Sequence, residues 1–231
     1  MIHNNSSNIE IIQWLNILAR LQIPFYIYKL HLNDSIIYKS ENLERKTIII
    51  LKGSLLLQKN FNNHENLCVA ILHKNTLINS FHDYNNINQL SHYYKIISLN
   101  TSYIISFRNC NLLTNNKAQN LLLLKLNMAY NQSLIAYEDM IHIITHKYIK
   151  YRLIQLLLFL CKKHGMSTNN TIIIRLPISQ SNIALIVGSN KNTINKIIQN
   201  LQKHKVIQYF SHNKIIIIND IMILNKFKFT E

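Results

Sequence analysis

Residues 178–201 read ISQSNIALIVGSNKNTINKIIQNL, and their polar side chains recur at helical spacing. Lys191, Asn192, Asn195, Lys196 and Gln199 share one face of a helix whose other face is Ile194, Ile197, Ile198 and Leu201. Ammonium groups and primary amides so arranged suit base edges in a major groove, where Lys reaches guanine O6 and N7 and Asn or Gln pairs with adenine. Holding such a face in place requires a second, shorter helix. Ser179 is a good N-cap for it, Ile183, Ala184 and Val187 form its buried side, Gly188 supplies the turn, and Asn190 caps the helix that follows. Ala184 is small where two helices must cross closely. The chain has only 3 Gly, so a glycine at the position that needs positive φ is a specific signal. The spacing predicts a helix-turn-helix, and 206–210, a turn at 211–213 and 214–218 predict a β-hairpin wing. The candidate DNA-binding set is Ser179, Lys191, Asn192, Asn195, Lys196 and Gln199, with His212 and Lys214 of the wing placed to meet phosphate.

The charge distribution points the same way. Lys and Arg number 25 against 10 Asp and Glu, a net charge of +15 over 231 residues. Up to His146 there are 12 basic and 8 acidic residues, and after it 13 and 2. A C-terminal third with that imbalance favours a polyanion, because each cation facing a phosphate releases condensed counterions. RNA readers place aromatic stacking platforms among their cations, and 191–199 contains no aromatic residue, so double-stranded DNA is the expected partner. An RNA-binding or non-specific nucleic-acid-binding protein is the alternative.

Hydrophobic residues make up 48% of the chain, enough for a sizeable core, while 3 Gly, 2 Pro and 3 Cys exclude collagen-like, Pro-rich and disulfide-scaffold classes. Cys68, Cys110 and Cys161 are widely spaced and match no metal signature, which fits a reduced intracellular compartment. No apolar run approaches the roughly 18 residues of a membrane span, and no membrane partner is expected. Residues 1–8 are polar and resemble neither a secretory signal nor a transit peptide. Ile (41) and Asn (33) are abundant, as in an AT-biased organelle or symbiont genome.

From 23 to 107 the pattern is of short β-rich runs between polar turns: 25–32, 35–38, 46–51, 54–58, 67–72, 76–78, 93–99 and 103–107. Strands at that spacing predict a sandwich or barrel, preceded by an amphipathic helix over 8–21. Residues 116–149 contain neither Gly nor Pro, and Leu124, Met128, Leu134, Ile135, Ile141, Ile144 and Ile149 recur at three to four, predicting one long helix. At about 45 Å it is too long for a small barrel to cover its apolar stripe, so pairing with its twin in a homodimer is expected. A further helix over 150–164 is predicted to end in a left-handed cap at Gly165, followed by a β-branched run over 171–176.

The order of β-barrel, long helix and winged helix-turn-helix resembles the CRP/FNR superfamily of transcription factors. Three segments, VAILHKNTL (69–77), IILKGSLLL (49–57) and THKYIKYRLIQLLLFLCKKHG (145–165), are similar to the nitrogen-control branch found in cyanobacteria and encoded in plastids. The resemblance implies an α+β fold: a cyclic-nucleotide-binding-type β-barrel (jelly roll) with N-terminal helix over 1–115, a dimerisation helix over 116–149, and a winged helix-turn-helix DNA-binding domain over 150–231. It implies a homodimeric transcription regulator, an activator of nitrogen-control type, acting on a palindromic operator with RNA polymerase as partner. It places the protein in the plastid stroma of an alga, or otherwise in a bacterial cytoplasm. In the recognition helix, Lys191 and Lys196 stand where the family has base-contacting Arg, so guanine discrimination is expected to be weaker.

The effector pocket that the resemblance implies falls on Ile78, Asn79, Ser80, Phe81, His92, Ser133 and Glu138. Cyclic nucleotide receptors carry Glu and Arg in the corresponding stretch, and this chain has neither over 76–93, so cyclic AMP is not expected. For 2-oxoglutarate, His92 and Ser133 stand at the places of the family's arginines and only Glu138 is kept, with Lys95 or His92 as candidate substitutes. The expectation is weak or absent effector control. No cofactor is expected: the first 67 residues contain no cysteine for an iron-sulfur cluster. His31, His64, His73, His82 and His92 lie singly, with no metal-ligand spacing, and Asp34, Asp83, Glu138 and Asp139 provide no acid/base pair at a defined spacing, so neither a metal site nor an enzyme is expected.

Overall fold

The computed structural model describes residues 3–39, 46–79, 92–108, 117–168 and 171–227. Contacts divide the chain into two units, 1–65 with 69–137, and 66–68 with 138–231.

The first unit opens with helix α1 (His3–Arg20), which starts earlier than the apolar spacing suggests. Eight strands follow: β1 (Phe25–Leu30), β2 (Ser35–Lys39), β3 (Lys46–Lys52), β4 (Ser54–Phe61), β5 (Asn66–His73), β6 (Leu77–Asn79), β7 (His92–Ser98) and β8 (Ser102–Arg108). All eight lie where the β-rich runs place them. They form two four-stranded sheets, ordered β1-β8-β3-β6 and β2-β7-β4-β5. Strand β3 is apolar on both faces for a reason. Ile49 and Leu51 pack with Trp14, Ile17 and Leu18 of α1, while Ile48 and Ile50 point between the sheets toward Leu55, Leu57, Leu72 and Ile96. A strand covered on both sides reads as a continuous apolar run rather than an alternating one.

Helix α2 (Lys117–Ile144) buries a row of small and apolar residues, among them Leu122, Ala129, Ser133 and Ala136. It leaves Leu121, Leu124, Met128, Leu134, Ile135 and Ile141 exposed. The predicted helix over 116–149 is not continuous. Thr145 N–H makes the last helical bond, to Ile141 O, and Tyr148 is extended, with φ −99° and ψ 139°, before helix α3 (Ile149–His164) begins. The break is held by Arg152, whose Nε donates to His146 O at 2.8 Å.

Helix α3 buries Leu153, Ile154, Leu156, Leu157, Phe159, Leu160 and Cys161, and burial pushes the Cys161 thiol up to about 11. Its end corrects a second expectation: Gly165 has φ −73° and ψ 135°, so it is not a left-handed cap. It opens strand β9 (Gly165–Thr168), pairing with Ile174 of β10 (Thr171–Ile174). A Cβ there would strike Cys161 O and lie 2.6 Å from Ile172 Cγ2, so close approach of backbone, not φ, requires glycine. Then come α4 (Gln180–Ile186), α5 (Lys191–Lys203), β11 (Ile207–Phe210), β12 (Ile215–Ile218) and α6 (Ile221–Lys226), with a sheet ordered β11-β12-β10-β9. The wing hairpin thus shares a sheet with the β-branched run before the helices.

Candidate nucleic-acid interface

Two side-chain caps fix the helix pair. Ser179 Oγ accepts from Asn182 N–H at 3.1 Å, and Asn190 Oδ1 accepts from Thr193 N–H at 2.8 Å. Between them Gly188 turns the chain with φ +66°, and Ser189 N–H returns to Ala184 O at 2.8 Å. Ile183, Ala184 and Val187 are buried, as are Ile194, Ile198 and Leu201 of α5, while Ile197 is half-buried. Arg152 holds this turn from outside the motif: its Nη1 donates to Val187 O at 3.2 Å while its Nε holds His146 O.

The opposite face of α5 presents Lys191, Asn192, Lys196 and Gln199 to solvent. Asn195 is half-buried, and Gln180 Nε2 of α4 donates to its Oδ1 at 3.3 Å, which leaves its amide NH2 as the group to offer. No acidic residue occurs between Asp139 and Asp220, so no carboxylate of the motif opposes these cations. The N-terminal end of α5, with Lys191 in its first turn, adds the positive end of the helix dipole. Ser179 lies before α4 rather than on α5; its Oγ accepts the capping bond of α4, which leaves its O–H as a donor. His212 is exposed in the wing turn with Nδ1 2.8 Å from Asn213 Oδ1, and Lys214 is half-buried with φ +50°.

The sandwich places the other predicted set differently. Ile78 is buried in the inner core, and Asn79 ends β6 opposite Thr47. Ser80 and Phe81 lie outside the described residues. Glu138 is exposed on α2, whereas Ser133 is 1% exposed. Ser133 Oγ accepts from Leu77 N–H at 2.8 Å and lies 2.7 Å from Leu77 O and 3.0 Å from Ala129 O. His92 stands edge-on to Tyr94, with centroids 5.5 Å apart, and 6.2 Å from Phe61. Lys95 pairs with Gln58, one residue out of phase with the inward-facing Tyr94 and Ile96, and so points away from the inner core. Among the described residues, one inward cation was not singled out from the sequence. Lys59 pairs with Tyr94, its Nζ 5.4 Å from the Phe61 ring and 5.6 Å from the Tyr94 ring. Burial, with Tyr94 and Tyr130 nearby, pushes the Tyr137 phenol up to about 12, so it remains a neutral donor.

Residues 151–227 match the model of the Crp-like helix-turn-helix domain. Over 219 residues the chain is 31% identical to the HTH-type transcriptional regulator ycf28 of Porphyra purpurea, a match covering 93% of this chain and 87% of that protein. The chain belongs to the CRP/FNR family of helix-turn-helix transcription regulators. It is also similar to the global nitrogen regulator of Synechococcus elongatus, at 23% identity over 80% of this chain and 83% of that one. Among solved structures, a CRP/FNR-family regulator from Thermus thermophilus superposes with a TM-score of 0.61 at 16% identity, covering 89% and 99% of the two chains. The c-di-GMP-responsive regulator CLP of Xanthomonas campestris gives 0.68 at 10%, covering 88% and 98%. These last two show the fold.

For this CRP/FNR regulator, then, DNA is the partner and the helix-turn-helix is the element that meets it; its relatives are regulators, not enzymes. The β-rich N-terminal region, long helix and C-terminal motif follow the family order. Among the described residues no helix is long and apolar enough to cross a membrane.

Proposed function

We propose that the protein binds a palindromic DNA operator as a homodimer, lays α5 into the major groove, and activates transcription with RNA polymerase in a nitrogen-control role without tight dependence on an effector. One observation carries the reading: the exposed face of α5 gathers Lys191, Asn192, Lys196 and Gln199, capped and braced, with no acidic residue between Asp139 and Asp220. Lys191 and Lys196 approach base edges, Asn192, Asn195 and Gln199 offer amides, and His212 and Lys214 meet backbone phosphate. Ser179 fixes α4 and offers its O–H to backbone phosphate. In the division of labour proposed here, 1–115 is the effector-type domain, 116–149 pairs the two copies and 150–231 reads DNA.

The exposed stripe on α2 supports the dimer. The AT-biased composition and the kinship with ycf28 support a plastid stroma, with a bacterial cytoplasm as the other setting. Weak effector control rests on Ser133. Its hydroxyl is occupied by Leu77, and a dianion such as 2-oxoglutarate would find no guanidinium there. Cyclic AMP would find no better partners.

The test is selection of bound duplexes from random DNA by the full chain, followed by titration of the recovered site with and without millimolar 2-oxoglutarate at constant ionic strength. A palindrome and an affinity change below about threefold, or roughly 0.7 kcal/mol of coupling, are expected. Recovery of a single unrepeated half-site would overturn the dimeric reading, and tenfold tightening would overturn effector independence.

A further inference from the structure

Two half-buried amides, Gln180 and Asn195, meet between α4 and α5. Gln180 is the first residue of α4, and Gln180, Ile183, Ala184 and Val187 recur at the spacing of one helix face, the last three of them buried. That face therefore opens on a polar side chain. Asn195 lies on the flank of α5, between the buried Ile194 and Ile198 and the exposed Lys191, Lys196 and Gln199. Gln180 Nε2 donates to Asn195 Oδ1 at 3.3 Å. An apolar pair would pack there without needing partners. What two amides add is direction, since the bond between them fixes which edge of Asn195 is turned outward. Gln180 is itself anchored: Ser179 caps α4 through Asn182 N–H at 3.1 Å, and Ile178 and Ile183 are buried on either side.

The other polar side chains of the α5 face are not held in this way. Lys191, Asn192, Lys196 and Gln199 are exposed, and among the described residues none of them makes a side-chain hydrogen bond or ion pair. Asn195 lies in the N-terminal half of α5, the half of a recognition helix that meets base edges. With Oδ1 turned to α4, its NH2 is the edge left for the groove. Bidentate pairing of an amide with adenine needs both edges, the oxygen to accept from N6 and the nitrogen to donate to N7. An NH2 alone selects acceptors. Guanine shows two of them, N7 and O6, adenine and thymine show one each, and cytosine shows only an amino donor.

We propose that Gln180 is a positioning residue for base reading: by holding Asn195 Oδ1 it makes Asn195 a donor-only reader, which favours guanine over adenine and rejects cytosine at one base pair. This rests on α5 lying in the major groove, as proposed above. An unbraced amide at the same place would take adenine.

Binding titrations of the full chain on the selected operator, and on the three substitutions at each base pair of a half-site, test this, each preference being read as a ratio of affinities. Asn195→Ala identifies the base pair. There the wild type is expected to favour guanine over adenine by about threefold and over cytosine by about tenfold, and the variant to lose both preferences. Gln180→Met keeps the length of the side chain without its donor, so the freed amide can turn both edges to adenine, which should gain about threefold or more on guanine. Gln180→Glu can only accept; it should take the Asn195 NH2, turn Oδ1 to the groove and shift preference toward adenine and cytosine, the bases with amino donors. A side chain that merely packed would not reorder the bases. Gln180→Met with Asn195→Ala should show the profile of Asn195→Ala alone. Gln180→Met alters no charge, so an unchanged salt slope and unfolding midpoint show that it is folded and engages the backbone as before. A profile unmoved by both Gln180 variants, or adenine preferred over guanine by the wild type at that pair, would overturn the proposal. So would the absence of any altered preference in Asn195→Ala, and the groove reading falls with it only if Lys191→Ala and Lys196→Ala are equally without effect on base preference.

Discussion

Ser133 and Leu77 hydrogen-bond in both directions, Leu77 N–H donating to Ser133 Oγ at 2.8 Å and Ser133 Oγ returning to Leu77 O at 2.7 Å. Strand β6 lies at the edge of its sheet, and Leu77 sits between the bonded pairs that join it to β3, so its peptide faces outward. One hydroxyl of α2 thus satisfies both backbone polar groups of an edge-strand residue. Ser133→Ala leaves a buried N–H without its acceptor and should cost about 1 to 3 kcal/mol. Urea unfolding of the variant checks this, and a midpoint equal to wild type would mean that water takes over both bonds.

Arg152 and Gly188 form a second coupled pair. The guanidinium ties the turn at 145–148 to the turn between α4 and α5, and a Cβ on Gly188 would stand 3.3 Å from its Nη1. Gly188→Ala also forces φ +66° on an L-residue, a cost of about 1 to 2 kcal/mol. Arg152→Lys keeps the charge but cannot hold two carbonyls with one planar group. Both variants should lower operator affinity with an unchanged salt slope, because neither side chain neutralises phosphate. A flattened slope for Arg152→Lys would place that side chain on DNA instead.

The eight strands were legible because β-branched runs alternate with Asn-rich and Gly-containing turns, and the helix-turn-helix because Ser179, Gly188 and Asn190 mark its corners. The break after Ile144 was not, since no Gly or Pro announces it and the residue that holds it, Arg152, lies in the next helix. Strand β9 has no periodicity of its own and exists through pairing with β10. Helix α6 is a single short element capped by Asp220, whose Oδ1 accepts from Met222 N–H at 2.6 Å and Ile223 N–H at 3.1 Å. The inward position of Lys59 depends on strand register, and a one-residue slip would exchange it for Gln58 or Asn60.

Dimerisation should fail when the α2 stripe is charged. Leu124 and Met128 are 62% and 68% exposed, a large area for apolar side chains on a helix whose other face is already buried. Leu124→Glu with Met128→Glu would bring like charges together between two copies, and burial of an unpaired carboxylate is strongly destabilising. Light scattering should report monomers; an unchanged dimer would move the interface elsewhere.

His164 makes stability depend on pH. Burial, and then the neighbouring Lys163 charge, lower its pKa from 6.5 to about 4. Between those values the unfolded chain binds a proton that the folded chain does not, so stability is full above about pH 6.5 and falls as pH drops toward 4. The loss is at most about 3 kcal/mol. His164→Gln, which cannot titrate, should flatten the difference in urea midpoint between pH 7 and pH 5; an equal slope in the variant would assign the dependence to another group.

Lys191 and Lys196 should differ in kind from Lys214. If the exposed face of α5 reads base edges, Lys191→Ala or Lys196→Ala costs about 1 to 3 kcal/mol on the selected operator and relaxes preference at one base pair. Lys214, on the wing, is proposed to meet phosphate. Its replacement by Ala should weaken all duplexes alike and reduce the slope of log affinity against log salt by about one. Lys191→Arg restores the two-pronged fork and should sharpen guanine preference at its position, which a merely electrostatic role would not do. Binding titrations on the operator, its single-base variants and an unrelated duplex at two salt concentrations separate these outcomes. Equal, sequence-independent losses at Lys191, Lys196 and Lys214 would show that α5 lies along the backbone rather than in the groove.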